Sequence, residues 1–291
     1  MGMKYDEPVF RPPSEAYSLI IQSTLGCSAN TCKFCLMYKS KKFRVRPLGE
    51  VIRDLEWCAK REQGVQRIFL ADGDALATPT EDLLKILKAC YELFPRLERV
   101  TSYANPGNLL EKSEAELKAI RQAGLTMIYY GIESGDDDLL QRIKKQATSA
   151  EMIEGCAKAH KAGLDISVTV LLGLAGRAGS EKHAKLTAEI LSRIQPKYIS
   201  ALTLMLGPFE KNYAQALGAG FEFLDKLEVL KELSWMVSGL EVKDSVFRSN
   251  HASNYLPLKG DLPKDKKKLL ETIAYGLRHP EILKPEEFRA L

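Results

Sequence analysis

The sequence predicts an α/β protein: six consecutive βα units, then an extension of different character. Three observations carry this. Short apolar runs alternate six times with stretches of helical periodicity between residues 18 and 206. Most of these runs are continuously apolar, as expected of parallel strands covered by helices. From Gly207 onward the alternation stops. Such a repeat builds either a doubly wound or a barrel-like sheet, and in both, functional groups gather where strands end and loops begin.

Residues 1–14 are polar and carry Pro8, Pro12 and Pro13, which predicts an extended lead-in. The apolar run Ser18–Leu25 reads as the first strand. Val51, Ile52, Leu55 and Cys58 then recur at three- and four-residue steps, predicting a helix within 47–63. Arg67–Ala71 is the second strand, followed by a helix over 80–94 with Leu83, Leu84, Leu87 and Cys90 on one face. Arg99–Ala104 is the third strand. Ser113 and Glu116 form a capping-box pair that opens the next helix, closed by Gly124. Met127–Ile132 is the fourth strand, with a helix over 149–162. Asp165–Leu172 is the fifth, with a helix over 181–194, and Tyr198–Leu206 is the sixth. Beyond it, 223–237 and 264–278 read as amphipathic helices, and 246–259 as irregular and polar. The expected division is a core over 15–206 and an extension over 207–291.

The chain has 291 residues and a formal net charge of +4, too little by itself to imply a nucleic-acid partner. No stretch approaches the roughly 18 apolar residues of a membrane span, and the first residues lack an apolar signal segment. The expectation is a cytoplasmic protein with reduced thiols and no membrane partner. Cys58, Cys90 and Cys156 lie singly in apolar helical patterns, where cysteine acts as a small buried hydrophobe.

Cys27, Cys32 and Cys35 are different. They fall within nine residues with the spacing C-x4-C-x2-C. Three soft thiolates on a short loop suggest a metal site. Structural zinc normally takes four protein ligands, and no fourth Cys or His lies nearby. Three thiolates on a 4Fe–4S cluster leave one iron open to a small molecule. Rival readings are a redox pair of Cys32 and Cys35 alone, and a non-catalytic module binding zinc or a cluster. Asp72-Gly73-Asp74 follows the second strand, Asn105-Pro106-Gly107 the third, Glu133-Ser134-Gly135 the fourth, and Gly173-Leu174-Ala175-Gly176 the fifth.

With Phe34 just before its last cysteine, the loop resembles that of the radical S-adenosylmethionine superfamily, although its first gap is one residue longer than the family's common form. Tyr130–Gly135, with the downstream Leu139, Ile143 and Lys145, resembles a run in the branch that includes methylthiotransferases and elongator-type proteins. The resemblance covers 15–206 and implies a partial (β/α)6 TIM-like barrel. It implies that Cys27, Cys32 and Cys35 hold a 4Fe–4S cluster whose open iron chelates S-adenosylmethionine. One electron, from a donor such as flavodoxin or ferredoxin, would then cleave that cofactor to a 5′-deoxyadenosyl radical that abstracts hydrogen from substrate.

The resemblance also implies cofactor contacts. Phe34, Gly73 and Asp74 lie near the cluster loop or the cofactor's amino group. Asn105, Glu133, Ser134, Arg142, Lys145 and Gly173 complete the set, with a cation suited to the cofactor carboxylate. The substrate is not legible. A small molecule is favoured over RNA or protein, because only the basic strip Lys39, Lys41, Lys42, Arg44 and Arg46 speaks for nucleic acid, and a solvated face is its plainer reading. A radical must be kept from water. The stretch 246–258 is therefore expected to cover the strand ends and present Arg248, Asn250, His251 and Asn254 to substrate.

Overall fold

The computed structural model describes residues 3–290. The chain forms two compact units. The first comprises the chain up to Asn30, Cys35–Tyr130 and Glu154–Ile166; the second comprises Thr31–Phe34, Gly131–Ile153 and the chain from Ser167 onward.

The first unit opens with β1 (Leu19–Gln22) and β2 (Thr24–Leu25); β3 (Arg44–Val45) returns to pair with β2. There follow α1 (Leu48–Ala59), β4 (Arg67–Ala71), α2 (Thr80–Leu93), β5 (Arg99–Ala104), α3 (Pro106–Glu111) and α4 (Glu114–Gln122). Next comes β6 (Leu125–Glu133), whose last three residues belong to the second unit. β1, β4, β5 and β6 are parallel neighbours in that order. The expected first strand is interrupted at Ser23, and its tail pairs as β2 with β3. Ile68, Phe69 and Leu70 are all fully buried, which explains why the run shows no alternation. Ser113 and Glu116 form the expected reciprocal cap of α4.

The chain continues through α5 (Asp137–Arg142), α6 (Ser149–Lys161), β7 (Asp165–Leu172), α7 (Gly176–Ile194) and β8 (Tyr198–Thr203). It ends with α8 (Glu210–Leu217), α9 (Lys226–Gly239), β9 (Ser245–Arg248), β10 (Lys259–Leu262) and α10 (Lys266–Arg278). In the second unit β7, β8 and β9 are parallel, and β10 runs antiparallel to β9. α7 packs on α9, and α9 on α10.

The stretch 246–259 was expected to be irregular. Instead it begins in one strand and ends in another. Ser245 and Phe247 are buried while Val246 and Arg248 are half-buried, a period of two that the polar surroundings obscure. The three cysteines expected in the core are buried in it: Cys58, Cys90 and Cys156 are at most 1% exposed. Burial pushes the Cys90 and Cys156 thiols up to about 12, so both stay protonated at neutral pH. No helix among the described residues is long and apolar enough to cross a membrane.

Candidate active site

In the first unit, four of the expected residues meet. β4 ends at Ala71, and the next turn carries Gly73 and Asp74. Gly73 donates its N–H to the Gly26 carbonyl at 3.0 Å. A Cβ on Gly73 would stand 2.6 Å from the Tyr38 ring and 3.0 Å from Cys27 Cβ, so only glycine fits against the start of the cysteine loop. Asp74 is fully buried. Its Oδ2 accepts from Ser28, while its Oδ1 has no partner among the described residues. Asn105, the N-cap of α3, donates from Nδ2 to Cys27 Sγ at 3.4 Å and to Ser28 Oγ at 3.3 Å. Burial pushes the Asp74 carboxyl up from its ordinary value, opposed by the hydrogen bond from Ser28 and by the nearby amides of Asn105 and Asn108.

Asp72 serves the fold. Its carboxylate accepts from Lys41 Nζ at 2.8 Å, Gln22 Nε2 at 2.9 Å and the Gly26 N–H at 3.0 Å. Lys41 is therefore a buried ion-pair partner rather than part of a solvated strip. Arg46 is likewise held by Asp54 at 2.7 Å. Lys39, Lys42 and Arg44 remain exposed.

In the second unit, the segment Thr31–Phe34 carries Cys32 and Phe34. Lys33 N–H donates to the Ile143 carbonyl at 2.8 Å, and Gln146 Nε2 donates to Thr31 Oγ1 at 3.1 Å. Cys32 is buried and Phe34 half-buried. No disulfide joins any of the six cysteines. Among the described residues, no three His, Cys, Asp or Glu side chains form a ready metal-holding group. The ligand set therefore rests on the donor chemistry of the loop.

Glu133 ends β6 with φ +65°, a left-handed conformation uncommon for a residue with a side chain. Its side chain folds back over Gly131, where a Cβ would lie 2.1 Å from Glu133 Oε1. Lys145 meets the same oxygen at 3.3 Å, both side chains being nearly buried. Burial pushes the Glu133 carboxyl up, and Lys145 opposes the shift.

Sequence reasoning did not find the network behind these loops. Ser134 Oγ accepts from the Asp136 N–H at 3.0 Å and lies 2.8 Å from His183 Nδ1. His183 Nε2 lies 3.0 Å from the Leu171 carbonyl, which can only accept. Nε2 therefore carries a proton toward that carbonyl. Glu232 on α9 is fully buried and accepts from the Gly173 N–H at 2.7 Å and from Ser180 Oγ. Glu232 sits among the leucines of an amphipathic helix and gave no local signal. Gly173 has φ +81°, and a Cβ there would meet nothing within 4 Å, so the strand end opens onto space. A cavity of about 580 Å³ lies there, lined among others by Gly173, Met205, Phe223 and Tyr255.

Other expected residues are engaged elsewhere. Arg142 donates to the Leu217 carbonyl at 3.2 Å. Asn254 is buried, donating to the Ala201 carbonyl at 2.9 Å and accepting from Thr203 Oγ1 at 2.8 Å. Both polar ends of its amide tie the loop to β8. His251 Nδ1 accepts from the Ser253 N–H at 3.1 Å, and burial followed by Lys284 pushes its pKa down, so it stays neutral. Asn250 is exposed. Arg248 is half-buried in β9.

A family model described as "Radical SAM superfamily" matches residues 21–185, more than half of the chain. The heme chaperone HemW of Bacillus subtilis (strain 168) is 22% identical over 184 residues, 61% of this chain and 48% of that protein. The threonylcarbamoyladenosine tRNA methylthiotransferase MtaB of Rickettsia prowazekii (strain Madrid E) is 26% identical over 146 residues, 47% of this chain and 34% of that protein. The chain thus spans less than half the length of these relatives. Among solved structures, the radical S-adenosylmethionine methyltransferase TsrM from Kitasatospora setae, with cobalamin and a 4Fe-4S cluster bound, matches with a TM-score of 0.55. The identity is 18%, covering 68% of this chain and 39% of that one. That likeness shows the fold, the largely parallel α/β class expected as a partial (β/α)6 barrel. On the strength of the family match, the chain belongs to the radical SAM superfamily.

Proposed function

We propose that this enzyme binds one 4Fe–4S cluster through Cys27, Cys32 and Cys35 and cleaves S-adenosylmethionine reductively to begin hydrogen abstraction from a small-molecule or cofactor substrate. The observation that carries the reading is Asp74. A fully buried carboxylate with one oxygen unpartnered, beside the first cysteine of a three-cysteine loop, is fitted to accept an ammonium group from a ligand. The donor set agrees: three thiols suit a 4Fe–4S cluster and leave one iron for the cofactor. When bound, the cluster supplies the single electron that splits the cofactor and yields a hydrogen-abstracting radical.

The chain's own residues do the holding. Asp74 takes the cofactor's amino group, and Gly73 lets the backbone lie close to Cys27. Asn105 orients Ser28 and the Cys27 sulfur. Glu133, held by Lys145, presents its carboxylate at the end of β6 for ribose or amino contact. Gly173 leaves room beside the end of β7. We take 15–206 as the core and 207–291 as the extension that shapes the substrate side, with Arg248 and His251 among its contributors. The electron comes from a reduced donor such as flavodoxin or ferredoxin, and reduced thiols suit the cytoplasm.

The test is anaerobic reconstitution followed by reduction with dithionite in the presence of S-adenosylmethionine. Appearance of 5′-deoxyadenosine and methionine supports the proposal; zinc in place of iron, or an intact cofactor, overturns it. A second reading, radical modification of RNA, is favoured by the tRNA-modifying relative and by the exposed Lys39, Lys42 and Arg44. Salt-sensitive tRNA binding that weakens when these three are replaced by alanine would move it to first place.

A further inference from the structure

β7, β8 and β9 run side by side, so residues paired across them share a face. Thr169 pairs with Ser200, and Ser200 with Arg248, giving one polar row across three strands. The other face is apolar and closed: Val168, Val170, Ile199, Ala201 and Phe247 are all fully buried. Thr169, Ser200 and Arg248 are only half-buried, so their face is the one solvent reaches. Arg248 is the last residue of β9, the kind of position where parallel sheets present ligand-binding groups.

The guanidinium of Arg248 has an aromatic neighbour and, among the described residues, no acid. Its Cζ lies over the Tyr198 ring, 5.4 Å from the centroid. No carboxylate stands within ion-pairing distance among the described residues, and its buried Nε has no hydrogen-bond partner. Lys41, Arg46, Arg99, Lys145 and Arg289, the more buried lysines and arginines of the ion pairs, each have an acid. A half-buried cation without an acid keeps its charge available to an anion from outside the chain. Here the guanidinium sits over an aromatic ring, and its paired N–H groups suit a planar or tetrahedral oxyanion.

We propose that Arg248 is an oxyanion receptor: the substrate carries a carboxylate or phosphate, seated on Arg248 with Ser200 and Thr169 beside it as hydroxyl donors. This rests on the reading of the extension as the substrate side. It narrows the substrate class to anions and gives Arg248 a specificity role separate from the cofactor contacts of Asp74 and Glu133.

The experiment follows the Arg Nε–H resonances of the full chain by ¹⁵N correlation spectroscopy, with the Arg248 signal assigned by its loss in Arg248→Gln. Inorganic phosphate and acetate are titrated separately, with and without S-adenosylmethionine. The expected result is a saturable shift of the Arg248 signal with at least one anion, undiminished by the cofactor, and the stronger anion identifies the source. Calorimetry should show that anion binding at least about tenfold weaker in Arg248→Gln, the loss of one charge-assisted hydrogen bond. Arg248→Lys should fall between the two and controls for folding. No shift with either anion, or equal binding by Arg248→Gln, overturns the proposal. Displacement of the anion by S-adenosylmethionine also overturns it, because Arg248 would then serve the cofactor. None of these readouts depends on cofactor cleavage, so failure of the enzymatic reading is scored separately by the 5′-deoxyadenosine assay.

Discussion

The two units each bury a carboxylate, and the two are finished differently. Asp74 in the first unit has one oxygen bound to Ser28 and the other unpartnered. Glu232 in the second has one oxygen on the Gly173 N–H and the other on Ser180. Both carboxyls are pushed up by burial. The difference lies in saturation. A buried acid whose acceptor sites are filled by the protein fixes loops, while one left open has a place for a ligand's donor. Glu232 holds the strand end on which Gly173 sits, whereas Asp74 is built for something not in the chain.

The comparison is broken most severely at the cysteines. Replacing Cys27, Cys32 or Cys35 with alanine should abolish iron binding, whereas alanine at Cys58, Cys90 or Cys156 should leave it intact. The wild type should hold about four irons per chain. Iron analysis with visible absorbance after anaerobic reconstitution decides it, and about eight irons would require a second cluster.

Next in size is the stability contrast. Glu232→Ala strands the Gly173 N–H and the Ser180 hydroxyl and opens a hole, so it should destabilise the fold by about 3 kcal/mol or more. Asp74→Asn, which keeps size and the Ser28 contact, should change stability far less. Chemical denaturation of the two variants is the measurement, and equal losses would erase the distinction drawn here.

Affinity should then reverse the order. Asp74→Asn should weaken S-adenosylmethionine binding by about tenfold or more, as expected for losing a charge-assisted contact of about 1.5–3 kcal/mol. Glu133→Gln should also bind it less tightly while its iron absorbance persists, because Glu133 lies at a different strand end from the cysteines. Calorimetry on the reconstituted variants checks both, and unchanged affinity in Glu133→Gln would make that residue a structural partner of Lys145.

The smallest effect is the pH dependence of stability. Burial raises the Asp74 pKa above its ordinary 3.8. Its stabilising contribution is therefore complete below 3.8 and is lost as pH rises through the folded-state value. Asp74→Asn stays neutral, so it should gain on the wild type as pH climbs from 3.8. S-adenosylmethionine should shrink that gain by partnering the ionised form. Unfolding free energies across the pH range, with and without cofactor, measure it; a gain that grows toward acid would mean the opposite sign of shift.

Much of this chain was decided locally. The apolar runs at Arg67–Ala71, Arg99–Ala104 and Asp165–Leu172 are strands with the expected bounds, because a short, mostly buried run between turn residues is legible from consecutive positions alone. The cysteine spacing and the Ser113–Glu116 cap are likewise written in consecutive residues. Tertiary structure decided which polar groups are satisfied, since that depends on partners distant in sequence. Asp72 and Asp74 flank one glycine, yet Lys41, Gln22 and Gly26 saturate the first and leave the second open on Oδ1. Glu232 meets Gly173 across 59 positions, and Asn254 is drawn into β8 across 53. Arg248 needed the register of β8 and β9 to show which face it shares and that no acid meets it there. Propensity and spacing are properties of neighbours in the chain; hydrogen-bond saturation belongs to neighbours in space.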